Sequence, residues 1–240
     1  MTEKLHKVLA RAGLGSRRHI EQWIQQGRVT VNGEVAGLGA RVTENDQLAV
    51  DGRPVEPAEA GAPRVLIYHK PLGELVTRHD PQGRRTVFES LPALVRGRWI
   101  AVGRLDINTT GLMLFTDDGE LANRLMHPRA NLEREYIVRV YGAVDVKTLE
   151  QLKQGVDLDG RPAAFASIAP VGKTAGSNPS FRVTLTEGRN REVRRLWEAA
   201  GCPVNRLKRI RFGPVTLPRD LKPGQWREVT PPEMEMLNRG

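Results

Sequence analysis

Ten residues, Gly103-Arg104-Leu105-Asp106-Ile107-Asn108-Thr109-Thr110-Gly111-Leu112, constrain the fold more tightly than any other stretch of the chain. They make a polar, glycine-bounded turn between two apolar runs, Trp99-Ile100-Ala101-Val102 and Leu112-Met113-Leu114-Phe115. Both runs are short enough to be buried strands. Asn108, Thr109 and Thr110 can bond the nearby backbone, and Gly103 and Gly111 permit unusual dihedrals at the edges of the turn. The pattern predicts one carboxylate, Asp106, held rigidly at the rim of a core. Capping is the ordinary role of an aspartate in a turn, so the rest of the chain must decide whether this one does more.

A chain of 240 residues suits one large domain plus one small one, and 39% hydrophobic residues support a real core. The net charge of +9 suggests a polyanionic partner, nucleic acid or an anionic membrane surface. No apolar run approaches membrane-spanning length, and the N-terminus lacks a signal-peptide core. The single Cys202 excludes an internal disulfide and a thiolate zinc cluster, and reads as a small buried hydrophobe. A cytoplasmic protein without membrane attachment is expected.

The charge is uneven. Residues 1–28 hold six basic residues against Glu3 and Glu21, and residues 187–211 hold eight against Glu187, Glu192 and Glu198. Two separate basic surfaces suit an extended, folded polyanion better than a small acidic ligand.

Leu5, Val8, Leu9 and Ala12 fall at helical spacing before Gly13. Ser16 caps a second predicted helix that runs through Gln26, with Ile20, Trp23 and Ile24 facing inward. Val29-Thr30-Val31 alternates like a strand, Asn32-Gly33 is a two-residue hairpin signal, and Gln47 to Val50 adds a further strand. On this geometry Lys4, Lys7, Arg11, Arg17, Arg18 and Arg28 can gather along one side and contact phosphates. Lys4 to Gly13, Gly15-Ser16-Arg17-Arg18 and Gly27 to Gly33 resemble the S4 RNA-binding domain, placing such a domain at 1–52. Residues 53–63 have no apolar period and three prolines, so they read as a semi-stiff linker that would let the domains reorient.

Residues 64–240 form the larger predicted domain. Strands are expected at Val65–Tyr68, on both sides of Asp106, at Tyr136–Val140, near 163–168 and 181–186, and at Leu207–Phe212. Helices are expected at Glu120–Met126, Val146–Gln154 and Asn190–Ala200, ahead of a Pro-rich end. Strands outnumber helices without strict alternation. The fold class is therefore α+β, a mainly antiparallel mixed sheet with flanking helices behind a small N-terminal domain.

Two side chains join Asp106 as candidates. Arg194 lies beside the apolar stripe Val193, Leu196, Trp197, and a buried guanidinium needs an anionic partner. A bidentate pair with Asp106 is one reading; contact with RNA phosphate, or snorkelling, is the other. Tyr136 opens an apolar strand, where it packs in the core or offers a flat surface for an extruded base.

Gly103-Arg104-Leu105-Asp106 with Thr110-Gly111-Leu112, Arg134-Glu135-Tyr136, and Glu187-Gly188-Arg189 with Val193-Arg194-Arg195 resemble the signature motifs of bacterial rRNA pseudouridine synthases. Across nearly all 240 residues the chain is similar to their RsuA-like family, whose members carry an N-terminal S4 domain. The resemblance implies a pseudouridine synthase fold with the catalytic aspartate at Asp106 and its basic partner at Arg194. It puts the base-stacking tyrosine at Tyr136 and an aliphatic base-packing residue at Leu185. Arg104, Arg189, Arg191 and Arg195 then join the RNA-binding set.

The implied substrate is a uridine of 23S large-subunit rRNA, free or in an assembly intermediate, and the enzyme is expected to be a monomer. Isomerising uridine oxidises nothing and imports no group, so no cofactor or metal is required. No dinucleotide or phosphate-binding glycine motif and no clustered metal ligands are present to suggest one. A non-catalytic ribosome-assembly protein is the alternative that the S4-type module and positive charge alone would suit. A carboxylate glycosidase lacks a convincing second acid, because Asp117 and Asp118 read as turn residues.

Overall fold

The computed structural model describes residues 2–56, 62–95, 97–172 and 178–239. They divide between two compact units, one drawn from Met1–Arg64, Pro92–Ile100 and Thr116–Gly119, the other from Val65–Leu91, Ala101–Phe115 and Glu120–Gly240. No described helix is long and apolar enough to cross a membrane.

The first unit opens with strand β1 (Glu3–Lys4), helices α1 (Leu5–Arg11) and α2 (Arg17–Gln25), and strands β2 (Val29–Val31), β3 (Glu34–Val35), β4 (Arg41–Val42), β5 (Leu48–Val50) and β6 (Arg53–Val55). Leu5, Val8 and Leu9 of α1 and Ile20 and Ile24 of α2 pack in one core with Val29, Leu48 and Val50. Ser16 caps α2, its Oγ accepting from the His19 amide at 3.1 Å. Asn32 and Gly33 both take positive φ, +53° and +86°, as a tight two-residue hairpin requires.

The four-stranded sheet has the order β3-β2-β5-β6. Its last strand corrects the expected start of the linker, because Arg53–Val55 pair with β5. Pro54 is tolerated there because β6 is an edge strand. Residues 57–61 of the expected linker lie outside the described residues.

From residue 65 the chain runs through β7 (Val65–Lys70), β8 (Ile100–Val102), β9 (Thr110–Thr116), α3 (Gly119–Met126), β10 (Arg134–Val140), α4 (Val146–Gln154), β11 (Val156–Asp157) and β12 (Pro162–Ala163). It continues through β13 (Ser167–Val171), β14 (Ser180–Leu185), α5 (Glu192–Ala199), β15 (Val204–Phe212), β16 (Val215–Thr216), β17 (Trp226–Glu228) and α6 (Pro231–Arg239). The main sheet has the order β13-β14-β10-β15-β9-β7-β17, with β16 on β15 and β8 on β9. Neighbours run antiparallel at β13–β14, β14–β10, β10–β15 and β7–β17, while β15 and β9 run parallel.

This is the α+β class with a mixed, mostly antiparallel sheet. Val65 to Tyr68 in β7 and Leu112 to Phe115 in β9 are buried, which explains why these runs are continuously apolar instead of alternating. Helix α5 turns Val193, Leu196 and Trp197 inward, and the Trp197 ring lies 5.1 Å from Phe181 and 6.0 Å from Phe165.

The C-terminal end differs from its Pro-rich reading. Trp226–Glu228 complete the sheet against β7, and a helix follows from Pro231. Two prolines can open a helix because the first-turn N–H groups have no intrahelical acceptor. Thr230 and Glu233 cap it reciprocally: the Thr230 amide donates to Glu233 at 2.7 Å and the Glu233 amide to Thr230 Oγ1 at 3.4 Å.

Candidate active site

The turn that carries Asp106 leaves β8 and enters β9, and its main chain is pinned at four successive carbonyls. The Thr109 amide donates to Asp106 O at 3.0 Å and the Gly73 amide to Ile107 O at 2.9 Å. Arg194 Nη2 donates to Asn108 O at 2.8 Å, and Lys70 Nζ to Thr109 O at 2.9 Å. Two of these donors are buried cations, whose hydrogen bonds stabilise by about 1.5–3 kcal/mol each against about 1 for a neutral pair. Burial pushes the Lys70 ammonium down to about 8, partly offset by the carboxylates of Glu74 and Asp106. The Asp106 side chain itself stays 33% exposed. A fixed backbone thus presents a carboxylate that is open to a ligand.

That carboxylate borders a cleft of about 740 Å³ lined also by Tyr136, Leu185, Arg134, Arg191, Arg209 and Phe212. The strand register explains the grouping. Arg134 lies opposite Leu185 on β14, so Arg134, Tyr136 and Leu185 share one face of the sheet. On the other side Arg134 faces Phe212 and Tyr136 faces Arg209, with Ile210 as an extra residue between them. This bulge brings Arg209 and Phe212 to the same face although they are three apart. Tyr136 and Leu185 are themselves buried, presenting only part of the ring and side chain. An apolar wall with a carboxylate at its edge can hold a flat heterocycle and act on whatever is attached to it.

Arg194 does not form the expected bidentate pair with Asp106. It is buried, and its guanidinium donates to the main-chain carbonyls of Asn108 and, at 3.2 Å, Val204. Burial and the neighbouring charge of Arg191 lower its pKa, while Asp106 acts on it through space in the opposite sense. The cation that meets the carboxylate is Arg191, with Nη1 3.8 Å from Asp106 Oδ2. Arg191 stands just ahead of α5 in the left-handed region, φ +51°. That conformation is uncommon for a residue with a Cβ and often marks a functional site. Sequence spacing could not separate Arg191 from Arg194, since only the backbone of the helix start decides which one points into the cleft.

The remaining basic candidates fall into two groups. Arg104 lines the cleft and is exposed, Arg189 binds Glu187 at 2.7 Å, and Arg195 binds Asp159 at 2.7 Å. In the first unit Lys4, Arg17 and Arg18 are exposed and Lys7 is half-buried, whereas Arg11 and Arg28 are held by Glu3 and Asp51. Reading the sequence missed Lys70 and Arg209. The tail of β7 gave no sign that a lysine would be buried, and Arg209 sits in a run, Lys208-Arg209-Ile210-Arg211, that looks like a solvated face. Among the described residues no group of three His, Cys, Asp or Glu side chains is arranged to hold a metal.

Residues 64–199 match the family model described as RNA pseudouridylate synthase, and residues 3–48 match that of the S4 domain. The chain is 56% identical over 238 residues to the ribosomal large subunit pseudouridine synthase B of Pseudomonas aeruginosa, covering 98% of this chain and 62% of that protein. It is 57% identical over 233 residues to the protein of the same name from Yersinia pestis, covering 95% of this chain and 73% of that one. The chain thus spans about three-fifths of the length of the Pseudomonas relative. A crystal structure of a pseudouridylate synthase superimposes with a TM-score of 0.68 at 26% identity, over 98% of this chain and 99% of that one.

Proposed function

The chain belongs to the RNA pseudouridylate synthase family, and from that membership we propose that it isomerises a specific uridine of large-subunit ribosomal RNA to pseudouridine. The observation that carries this reading is the one-third-exposed Asp106 carboxylate on a four-point-pinned turn, at the edge of a cleft lined by Tyr136, Leu185 and several arginines. The target uridine leaves its helix, at a cost of about a few kcal/mol, and its base stacks against Tyr136 and Leu185. Asp106 then meets the sugar. Breaking the bond from C1′ to N1 leaves the electron pair on the base. The carboxylate either attacks C1′ or removes a sugar proton to give a glycal. The base turns and its C5 bonds to C1′. That step either expels the Asp106 carboxylate from C1′ or, on the glycal route, goes with return of the abstracted proton from Asp106 to the sugar. C5 then loses its proton to solvent and N1 takes one up.

Arg191 faces the Asp106 carboxylate at 3.8 Å and offsets its charge, and Arg194 holds the turn beneath it. The basic residues Lys4, Lys7, Arg17 and Arg18, with Arg104 beside the cleft, supply phosphate contacts that offset the cost of extruding the base.

The test is release of tritium from large-subunit rRNA labelled at uridine C5. Asp106→Asn is expected to abolish release while RNA affinity stays within a few-fold. Undiminished turnover in that variant would remove Asp106 from the reaction. Absence of release by the wild-type protein, on free rRNA and on large-subunit precursors alike, would remove the activity.

A further inference from the structure

In the strip of sheet β13-β14-β10-β15 one face is buried and carries the cleft, and the other is open to solvent. Tyr136, Val138, Phe181, Val183 and Leu207 point to the buried face, where Trp197 of α5 packs on Phe181. Their alternate neighbours Ile137, Arg139, Arg182, Arg206 and Lys208 point the other way, and all five are exposed or half-buried.

The register brings the cations of this outer face together. Arg139 and Arg206 stand directly opposite each other, and Arg182 and Lys208 flank Ile137 from the strands on its two sides. With neighbouring strands about 4.8 Å apart and alternate residues about 7 Å apart along a strand, four cations rise from a patch about 10 Å across and 7 Å long. Like charges directly opposite destabilise a sheet, and a face that is merely solvated avoids them by pairing opposite signs. Acids are too few to do so here. Glu135 is the only acid in the four strands, and it is shared between Arg211 at 3.3 Å and Arg182 at 3.5 Å. Arg139 donates to the Asn178 carbonyl at 3.2 Å. Among the described residues, none of Arg139, Arg206 and Lys208 pairs with a carboxylate.

We propose that this outer face is a second docking surface for RNA, which grips phosphates of a segment distinct from the one whose uridine enters the cleft. A polyanion removes the repulsion between Arg139 and Arg206, and successive phosphates of one strand can meet all four cations. The planar fork of arginine suits that contact, because it offers a phosphate two donors at once. Since the cleft opens on the opposite face, the RNA must be long enough to reach both, as a large folded RNA is. That this RNA is ribosomal rests on the isomerisation proposed above.

The experiment compares the wild-type full-length chain with Arg206→Glu and with the triple change Arg139→Gln, Arg206→Gln, Lys208→Gln. Affinity is measured over a salt series for protein-free large-subunit rRNA and for a short RNA hairpin, with thermal melting and kcat for tritium release alongside. Arg206→Glu gives Arg139 an opposite charge to face, so melting should hold or rise while rRNA affinity falls. The triple variant should flatten the slope of log affinity against log salt by about 2, at about 0.7 for each phosphate of single-stranded RNA released. Its rRNA affinity should drop on the order of ten-fold at about 0.1 M salt. Hairpin affinity and kcat at saturating rRNA should stay within about two-fold, because no cleft residue is changed. An unchanged slope would overturn the proposal. An equal loss on the hairpin would overturn it too, by making these cations part of a general field with no surface of their own. A loss confined to large-subunit precursors would give the face to a ribosomal protein instead. Binding is read without turnover, so a wild-type protein that releases no tritium would count against the isomerisation and leave this surface to be judged by its slope.

Discussion

Two arginines of the first unit and two of the second are used in opposite ways. In the first, Arg11 donates to both oxygens of Glu3 at 3.0 and 2.9 Å, and Arg28 to both of Asp51 at 2.8 and 2.5 Å, all on part-exposed side chains. In the second, Arg194 and Arg209 are buried and donate to main-chain carbonyls of the Asp106 turn and of β9. Exposed pairs contribute about 0–1 kcal/mol each and leave the surface free to exchange partners. A buried donor that satisfies a buried carbonyl is different, because its removal leaves the carbonyl without water or partner. The first unit pairs these arginines with surface carboxylates. The second builds a frame from its own.

The comparison can be broken most severely at Gly111, where the frame is tightest. Gly111 takes φ +109°, and a Cβ there would stand 2.1 Å from Arg209 O. Gly111→Ala should part the parallel strands β9 and β15 and cost about 3–5 kcal/mol in a urea melt, combining strain with overpacking. A loss under about 1 kcal/mol would mean that the two strands separate easily and that the frame is not rigid.

A smaller and more direct contrast sets Arg194→Met against Arg28→Met. The first leaves the carbonyls of Asn108 and Val204 without their donor and should cost about 2–3 kcal/mol. The second breaks an exposed pair and should leave the urea midpoint nearly unchanged. Equal losses would erase the distinction between surface pair and frame.

The least effect on stability is expected from neutralising Lys4, Lys7, Arg17 and Arg18 together. Thermal melting and kcat at saturating RNA should hold. The slope of log affinity against log salt should flatten by about 0.7 for each phosphate of single-stranded RNA that the protein no longer neutralises. An unchanged slope would show that this surface is not where the RNA binds.

Much of the fold was legible because local chemistry and tertiary context agree. The Ser16 cap, the Asn32-Gly33 turn and helix α4 from Val146 to Gln154 fall where spacing predicts them. The strands on both sides of Asp106 do too, because a polar turn cannot be buried between two apolar runs without exposing its acid. The α6 helix was equally legible through its Thr230–Glu233 capping box, and the two prolines disguised it as irregular chain. The extra strand at Arg53–Val55 was hidden for a similar reason, since Pro54 looked like a linker residue and stands instead on a sheet edge.

The candidate site divides along a physical line. Local sequence determined that Asp106 would sit in a glycine-bounded turn between buried strands, and that Tyr136 and Leu185 would sit on apolar strands, because each of these follows from residues adjacent in the chain. Only the tertiary structure decided which cation meets Asp106 and which ones hold its turn. Arg191 and Arg194 are separated by one helical turn and a left-handed residue, Lys70 arrives from a strand 36 residues earlier, and Arg209 reaches the cleft face through a bulge that breaks the two-residue alternation. Burial of a charge is settled by what surrounds it in space, and its neighbours in sequence carry no record of that.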